Sequence, residues 1–218
     1  MYTKIIDISQ PVGSTSACFP GDAPFQRQVT LTLQESGVVN LCSMSMSPHV
    51  GTHADAPIHI RGDMDVDSGI AAADLPLDAF LGAATVIDLA PYNEGITAEQ
   101  FVEQINKLHP AGKPQRILFK TCHQIRYHMF EDSYAYLTVD LVQSMHKQGI
   151  RLVGIDTPSV DHIKSKSLEA HHALDECGMF WLENLDLTKV EAGEYILVAL
   201  PLKLTEMEES PVRAVLLA

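Results

Sequence analysis

Short apolar segments are distributed along the chain, and their periodicity predicts a mixture of strands and helices. Apolar and polar residues alternate with a period of two in QVTLTLQ (28–34) and VNLCSMSM (39–46), which is typical of half-buried strands. Ser36-Gly37 offers a turn between these two segments. Further strands are predicted from KIIDIS (4–9), ATVIDLA (84–90), RILFK (116–120), RLVGIDT (151–157), EYILVALPLKL (194–204) and VRAVLLA (212–218).

Two segments in the middle of the chain have the apolar spacing of helices. TAEQFVEQINKL (97–108) begins at Thr97, a residue type that caps helix N-termini, and acidic residues follow closely. TVDLVQSMHKQG (138–149) ends at Gly149, a residue type that often closes a helix. Strands and helices alternate only in this central region, so we expect an α/β fold with a mixed sheet rather than a purely parallel one.

Size and charge narrow the class of protein. The 218 residues are 46% hydrophobic, which suits one domain over residues 1–218 with a substantial core. An excess of 28 acidic over 15 basic residues gives a formal net charge of −13, and such a surface repels nucleic-acid phosphates. No apolar run approaches the roughly 20 residues that span a bilayer, and the N-terminus lacks a secretion signal. We therefore expect neither nucleic acid nor membrane as a partner.

The cysteines indicate a reducing compartment. Cys18, Cys42, Cys122 and Cys177 are widely scattered, and no two of them form a CxxC pair. This spacing argues against a thiolate zinc site and against a disulfide framework. The expected location is the cytoplasm, where thiols remain reduced.

One short stretch, SPHVGTHADAPIHI (47–60), concentrates side chains that can bind metal. Its prolines and glycine disfavour a helix, and in an extended segment residues of equal parity share a face. The odd-numbered residues here could therefore present three imidazoles and a carboxylate to one pocket, with bends at Gly51 and Pro57. These four residues are His49, His53, Asp55 and His59. Such donors suit zinc or manganese, although a polar loop that is merely rich in histidine is the simpler alternative.

A second segment, EAHHALDECGMFWLE (169–183), could complete a metal site with His171, His172 and Glu183. Glu183 lies in an apolar run, where a cation would offset the cost of burying a carboxylate. The alternatives are a salt bridge or surface position for Glu183 and a helix surface for His172. Asp156 in GIDTPSVD is interpreted as a loop-capping residue, and the acidic run EMEES (206–210) as a solvated face.

Taken together, these motifs resemble the cyclase-like metal-dependent hydrolases, and within them the bacterial kynurenine formamidases, or arylformamidases. The resemblance covers essentially the whole chain. Besides the histidine motif SPHVGTHADAPIH, it rests on DISQPV (7–12), FPGDAP (19–24), LVGIDTPSVD (152–161), SKSLEAHH (165–172) and LPLKLTEMEESPVRAVLL (200–217), which follow the family's order.

The resemblance implies a fold, a metal centre and an assembly. The fold would be a swivelling β/β/α arrangement, and the protein a homodimer or larger homo-oligomer. Two divalent ions, zinc or alternatively manganese or another divalent metal, would be held by His49, His53, Asp55, His171 and Glu183, with Asp55 and Glu183 bridging them. Phe19 would help to bind an aromatic substrate, at a position where the family usually has tryptophan. Phenylalanine keeps the aromatic face but lacks the indole N–H donor.

The implied substrate is a small aryl formamide, N-formyl-L-kynurenine, which would yield L-kynurenine and formate. In this hypothesis a metal-bound hydroxide attacks the formyl carbon, and His59 acts as general acid/base, since histidine titrates near neutral pH. Three alternatives stay open. The chain could hydrolyse another aryl or cyclic amide such as isatin, store or bind metal without catalysis, or use zinc only to hold its fold.

Overall fold

The computed structural model describes residues 4–62, 70–108 and 114–218. The strands in this part of the chain are Ile5–Asp7 (β1), Gln26–Leu31 (β2), Leu41–Ser45 (β3), His53–Asp55 (β4), Leu81–Asp88 (β5), Gly95–Ile96 (β6), Arg116–Lys120 (β7), Tyr136–Leu137 (β8), Leu152–Ile155 (β9), Phe180–Glu183 (β10), Gly193–Val198 (β11), Glu209–Pro211 (β12) and Val215–Leu217 (β13). The α-helices are Leu33–Ser36 (α1), Ala98–Leu108 (α2), Val139–Lys147 (α3) and Glu169–Glu176 (α4). Short 3₁₀ helices occupy Pro57–His59 and Ala72–Asp74.

A mixed sheet of nine strands organises the fold. Its order is β1-β13-β11-β5-β7-β9-β10-β4-β12. The four central strands β5, β7, β9 and β10 run parallel, and the strands on both sides of them pair antiparallel. Two small sheets, β2-β3 and β6-β8, stand beside it. The predicted α/β class with a mixed sheet is confirmed.

Two hydrophobic clusters pack against the sheet, one on each face. Successive residues of a strand point to opposite faces and therefore join different clusters. On β5, Val86 belongs to one cluster and Ile87 to the other. The Ile87 cluster also takes in the apolar faces of the helices, including Phe101 of α2, Leu141 of α3 and Leu174 of α4. This arrangement explains the helical apolar spacing of the central segments. No helix in the described ranges is long and apolar enough to cross a membrane.

The central elements lie where the sequence predicts them. Helix α2 follows Thr97, whose hydroxyl accepts a hydrogen bond from the Gln100 backbone N–H at 3.4 Å. Helix α3 is followed by Gly149 with a φ of 82°, a left-handed conformation that glycine adopts readily. The strands predicted around residues 4–9, 116–120 and 151–157 are also present.

The segment around residues 26–45 differs from its prediction. Strands β2 and β3 form a separate antiparallel pair, which we call the arm, and their side chains are almost all exposed rather than half-buried. The predicted strand 28–34 is also cut short, because Thr32 and Glu35 form a reciprocal capping box that begins helix α1. The expected turn at Gly37 is present, with a φ of 75°. Alternation therefore predicted the strands correctly but not their burial.

Candidate active site

The edge of the large sheet aligns four metal-capable side chains across three neighbouring strands. Strand β4 lies between β10 and β12, with His53 opposite Glu183 and Asp55 opposite Glu209 in the two registers. His53 and Asp55 are two residues apart and share a face, whereas Ala54 between them is buried in the hydrophobic core. Cross-strand pairing thus brings residues that are distant in sequence to one place.

Turns rather than an extended chain bring the other two histidines of the motif to this edge. His49 lies in a turn that continues through Gly51, whose φ is 79°. A Cβ atom at Gly51 would lie 2.5 Å from Val12 Cγ2, so the close approach requires glycine. His59 ends the 3₁₀ helix that begins at Pro57. The extended segment predicted over 49–59 is therefore present only at His53–Asp55, although the expected bends at Gly51 and Pro57 occur.

His171 reaches the site from helix α4 and is oriented by a carboxylate behind it. Its Nδ1 donates to Asp161 Oδ2 at 2.6 Å, which leaves Nε2 facing the site, 3.4 Å from Asp55 Oδ2. Asp161 also accepts from the backbone N–H groups of Ala170 and His171, at the start of the helix. A carboxylate that holds a histidine in this way is common around metal sites.

Two overlapping groups of side chains could each hold a metal ion. In each group the potential ligand atoms lie within 4.8 Å of one another. The first group is His49, His53, Asp55 and Glu209, and the second is Asp55, His59 and His171. Asp55 belongs to both. Glu183 lies between the groups, with its carboxylate oxygens 3.4 Å from His53 Nε2 and 3.5 Å from His171 Nε2.

Three carboxylate oxygens of this cluster lack the hydrogen bonds that buried charges need, although Asp55 Oδ2 accepts from Trp181 Nε1 and Glu209 Oε2 contacts His49 Nδ1. In the described part of the chain, Asp55 Oδ1 and both carboxylate oxygens of Glu209 are buried without a hydrogen bond. Burial and the neighbouring Asp55 raise the pKa of Glu209 to about 12 when no cation is bound. Leaving such a group unpartnered is costly, and a divalent cation would supply the missing interactions. The residues present fit a metal ion.

The surroundings of His49 and His171 shift the pKa values of these two histidines in opposite directions. Burial and the adjacent His53 lower the pKa of His49 to about 3, which favours the neutral, ligand-competent form. Burial alone would lower the pKa of His171 as well, but Asp161 and Asp55 outweigh it and raise that pKa to about 10. A bound cation would replace the proton on Nε2 of His171, since both compete for the same lone pair.

Glu209 is the site residue that the sequence interpretation missed. The run EMEES was expected to be a solvated face, and that expectation is wrong at this position: Glu206 is exposed, but Glu209 is fully buried. The physical reason is the pairing of β12 with β4, which the local sequence does not reveal. Asp161 was missed too, because its role depends on its contact with His171 ten residues later.

Two other polar residues follow the simpler interpretation. Asp156 is buried and accepts hydrogen bonds from the Thr121 backbone N–H at 2.8 Å and hydroxyl at 2.6 Å, so it ties the loop after β7 to the end of β9. This is the loop-capping role expected for it. His172 is exposed on helix α4, unlike its neighbour His171.

A cavity of about 1080 Å³ opens over the cluster. His49, His59, His171 and Glu183 all contribute to its lining. Phe19 lines the same cavity and packs edge-on against Phe130, with 5.2 Å between ring centroids. The site therefore combines metal-capable ligands with an aromatic wall and room for a small organic molecule.

The chain is similar to known proteins over most of its length. The family of putative cyclases matches residues 6–162. The chain is 41% identical to a kynurenine formamidase from Paracidovorax citrulli, over 96% of this chain and 94% of that protein. It is 38% identical to a kynurenine formamidase from Bacillus cytotoxicus, over 97% and 96% respectively.

Solved structures share the fold. A predicted metal-dependent hydrolase from Bacillus stearothermophilus superposes with a TM-score of 0.79 at 24% identity, covering 98% of each chain. Isatin hydrolase A from Labrenzia aggregata superposes with a TM-score of 0.83 at 22% identity, covering 99% of this chain and 93% of that one. From the family match and the full-length relatives, the chain belongs to the putative cyclase family, together with the kynurenine formamidases.

Proposed function

We propose that this protein is a metal-dependent arylformamidase that hydrolyses N-formyl-L-kynurenine to L-kynurenine and formate. The observation that carries the proposal is its 41% identity to a kynurenine formamidase over nearly the whole of both chains. The site supports it, because buried carboxylate oxygens without hydrogen bonds lie beside histidines that line a cavity with an aromatic wall.

We assign the metal ligands to two divalent ions, zinc or manganese. The imidazole and carboxylate donors suit either metal. Asp55 would be available to both ions, since it belongs to both candidate groups, and so would Glu183, since it contacts a histidine of each group. The full ligand set is His49, His53, Asp55, His171 and Glu183, to which we add Glu209.

When bound, the metal polarises the formyl oxygen and makes a water molecule a better nucleophile at neutral pH. The chain's own part is to place the substrate and move a proton. Water adds to the formyl carbon as His59 takes a proton from it, the C–N bond breaks, and His59 returns that proton to the leaving aniline nitrogen. His59 suits this role because it lines the cavity and is only partly buried, beside His49 and His171. Phe19 and Phe130 provide the surface on which the aryl ring packs.

We also propose that the chain forms a homodimer or larger homo-oligomer. The arm carries exposed apolar side chains, with Val29 at 49% and Met44 at 70% on one face and Leu41 at 50% on the other, and exposed apolar surface is typical of protein interfaces. Sedimentation of the wild type and of Met44→Lys tests this: a dimer that the substitution weakens supports it, and a monomeric wild type contradicts it. A cytoplasmic location is proposed from the four free cysteines.

A substrate panel tests the proposed reaction. Metal-loaded protein is given N-formyl-L-kynurenine and isatin, and kcat/KM is measured for each. We expect the formamide to be preferred, with L-kynurenine and formate released in equal amounts. A higher kcat/KM for isatin would replace the formamidase assignment with hydrolysis of a cyclic amide.

A further inference from the structure

An arginine–glutamate pair lines the cavity beside the candidate metal site. Arg126 donates through Nε and Nη2 to the two carboxylate oxygens of Glu131, and both residues border the cavity. The proposed mechanism uses neither of them. Among the described residues that line the cavity, Arg126 is the only arginine or lysine.

The loop that carries this pair is fixed in place from several sides. The Tyr127 hydroxyl donates to Asp186 Oδ2 at 2.7 Å, and the Tyr127 carbonyl accepts from the Ala17 backbone N–H at 2.6 Å. Phe130, next to Glu131 in sequence, packs against Phe19. The pair therefore has a defined position beside the aromatic wall.

The pair is accessible to a ligand. The side chains of Arg126 and Glu131 are 50% and 39% exposed. An ion pair at this exposure contributes little to stability, so its two charges are free to exchange partners when a ligand arrives. Arginine also binds carboxylates with two parallel hydrogen bonds, which gives both strength and orientation.

The charge around the cavity makes this arginine important for an anionic substrate. The cavity is also lined by the carboxylates of Asp22, Glu183 and Asp156, and the chain has a net charge of −13. Away from the candidate metal site, a substrate carboxylate would be repelled by this surface unless a cation receives it. Arg126 is placed to do so, and Glu131 adds a negative charge next to it.

We propose that Arg126 and Glu131 bind the amino-acid end of the substrate, with Arg126 taking the α-carboxylate and Glu131 the α-ammonium group. The proposal rests on the proposed function, since an aryl formamide with an amino-acid side chain is the substrate considered. The pair would then determine substrate selectivity, because aryl formamides with an α-ammonium and an α-carboxylate group would be preferred over aryl formamides that lack these charges.

Arg126→Gln tests the proposal with two substrates. One is N-formyl-L-kynurenine, and the other is 2-formamidoacetophenone, which keeps the formamide, ring and ketone but lacks the amino-acid end. We expect KM for N-formyl-L-kynurenine to rise about tenfold or more, as loss of a hydrogen bond to a charged group implies, with kcat within about twofold. KM for 2-formamidoacetophenone should stay within about twofold of the wild-type value.

Matched variants separate recognition from a general effect. Arg213 makes a similar two-pronged pair with Asp7 but does not line the cavity, so Arg213→Gln should leave both KM values unchanged. Glu131→Gln should raise KM for N-formyl-L-kynurenine alone. Equal changes for both substrates in Arg126→Gln, or no change for either, would overturn the proposal.

Failure of the proposed function would be recognised separately. If the metal-loaded wild type hydrolyses neither formamide, the reaction is misassigned, and calorimetry with L-kynurenine and 2-aminoacetophenone then tests the pair alone. Tighter wild-type binding of L-kynurenine, with the difference lost in Arg126→Gln, would still support recognition of the amino-acid end. Equal binding of both compounds would contradict it.

Discussion

At the scale of single residues, carboxylate oxygens that are buried without hydrogen bonds point to a bound cation. Glu209 is the clearest case: neither of its oxygens has a hydrogen bond, and burial raises its pKa to about 12. A group in this position either stays protonated or has a cation beside it. The two histidines and Asp55 around it make the cation the more favourable solution.

Glu209→Gln should weaken metal binding while leaving the fold intact. Glutamine has nearly the same shape but no charge, so the metal loses an anionic ligand. Mutating a residue that only hydrogen-bonds to a metal ligand lowers metal affinity by roughly 10–100-fold, and loss of a direct ligand should lower it at least as much. The metal-free variant should be at least as stable as the metal-free wild type near neutral pH. Without metal, the raised pKa of Glu209 means that this side chain must take up a proton on folding, a cost that glutamine does not have. Metal titration and thermal unfolding with and without metal measure both effects.

Glu206→Gln is the control for this substitution, since Glu206 lies on the same segment but is exposed. It should change neither metal affinity nor the metal-dependent rise in Tm. Wild-type metal affinity in Glu209→Gln would remove Glu209 from the ligand set.

His59→Ala should separate proton transfer from metal binding. His59 lies close enough to Asp55 and His171 to act as a third ligand, so its role needs a direct test. If it moves the proton, the variant keeps its metal and loses about 10²–10⁴ in kcat. Metal content by mass spectrometry alongside turnover decides the question. Loss of metal, with normal turnover once metal is resupplied, would make His59 a ligand instead.

The sequence supplied most of the candidate site at this scale, for identifiable reasons. The glycine, prolines and histidines of residues 47–60 lie within one short stretch, so their grouping could be predicted locally. Glu209 and Asp161 could not be found in this way. Glu209 acquires its role by pairing with Asp55 on β4, and Asp161 by contacting His171 on α4. Neither contact can be predicted from the neighbouring sequence.

At the scale of elements, the turn before β4 links backbone conformation to the site. Gly51 has a φ of 79°, and its carbonyl accepts a hydrogen bond from His53 Nδ1 at 2.8 Å. This bond directs Nε2 of His53 towards the carboxylates. The turn thus orients one histidine while it carries His49 to the same edge.

Gly51→Ala should destabilise the fold and weaken metal binding together. The left-handed backbone conformation costs a non-glycine residue about 1–3 kcal/mol. The added Cβ would also lie 2.5 Å from Val12 Cγ2, so the turn must shift. Gly37→Ala is the control, since Gly37 has a φ of 75° with nothing within 4 Å of an added Cβ. A fall in Tm and metal affinity no larger than that of the control would contradict a constrained turn.

Elements could be predicted where hydrophobic burial sets their pattern, as in α2, α3, β7 and β9. The arm shows the limit of this reasoning. Its alternating residues resemble those of a strand over a core, yet both faces are exposed in the single chain. Alternation of apolar and polar residues shows that one face of a strand is apolar, but it does not show what covers that face. For the arm, we propose that a second copy of the chain does so.

At the scale of the whole molecule, the size of the core distinguishes catalytic from structural metal. Two hydrophobic clusters pack on the two faces of a nine-stranded sheet, and the candidate site lies near one edge of that sheet. A hydrophobic core of this size is large enough for the chain to fold without a bound metal ion. The carboxylate cluster nevertheless makes the metal-bound state more stable than the metal-free one.

Removing the metal should therefore lower Tm without unfolding the protein at 25 °C. Circular dichroism of chelated and metal-loaded samples measures both properties. Retained secondary structure in the chelated sample is expected. Complete unfolding on chelation would instead support the alternative in which zinc only holds the fold.

Hydrolysis of N-formyl-L-kynurenine by purified, zinc-loaded protein, with a chelated sample alongside, tests the central claim most directly. We expect release of L-kynurenine and formate that stops on chelation and returns when metal is restored. Absence of release from protein that demonstrably holds its metal would contradict the formamidase assignment, and release that continues undiminished after complete removal of the metal would contradict the metal-dependent mechanism.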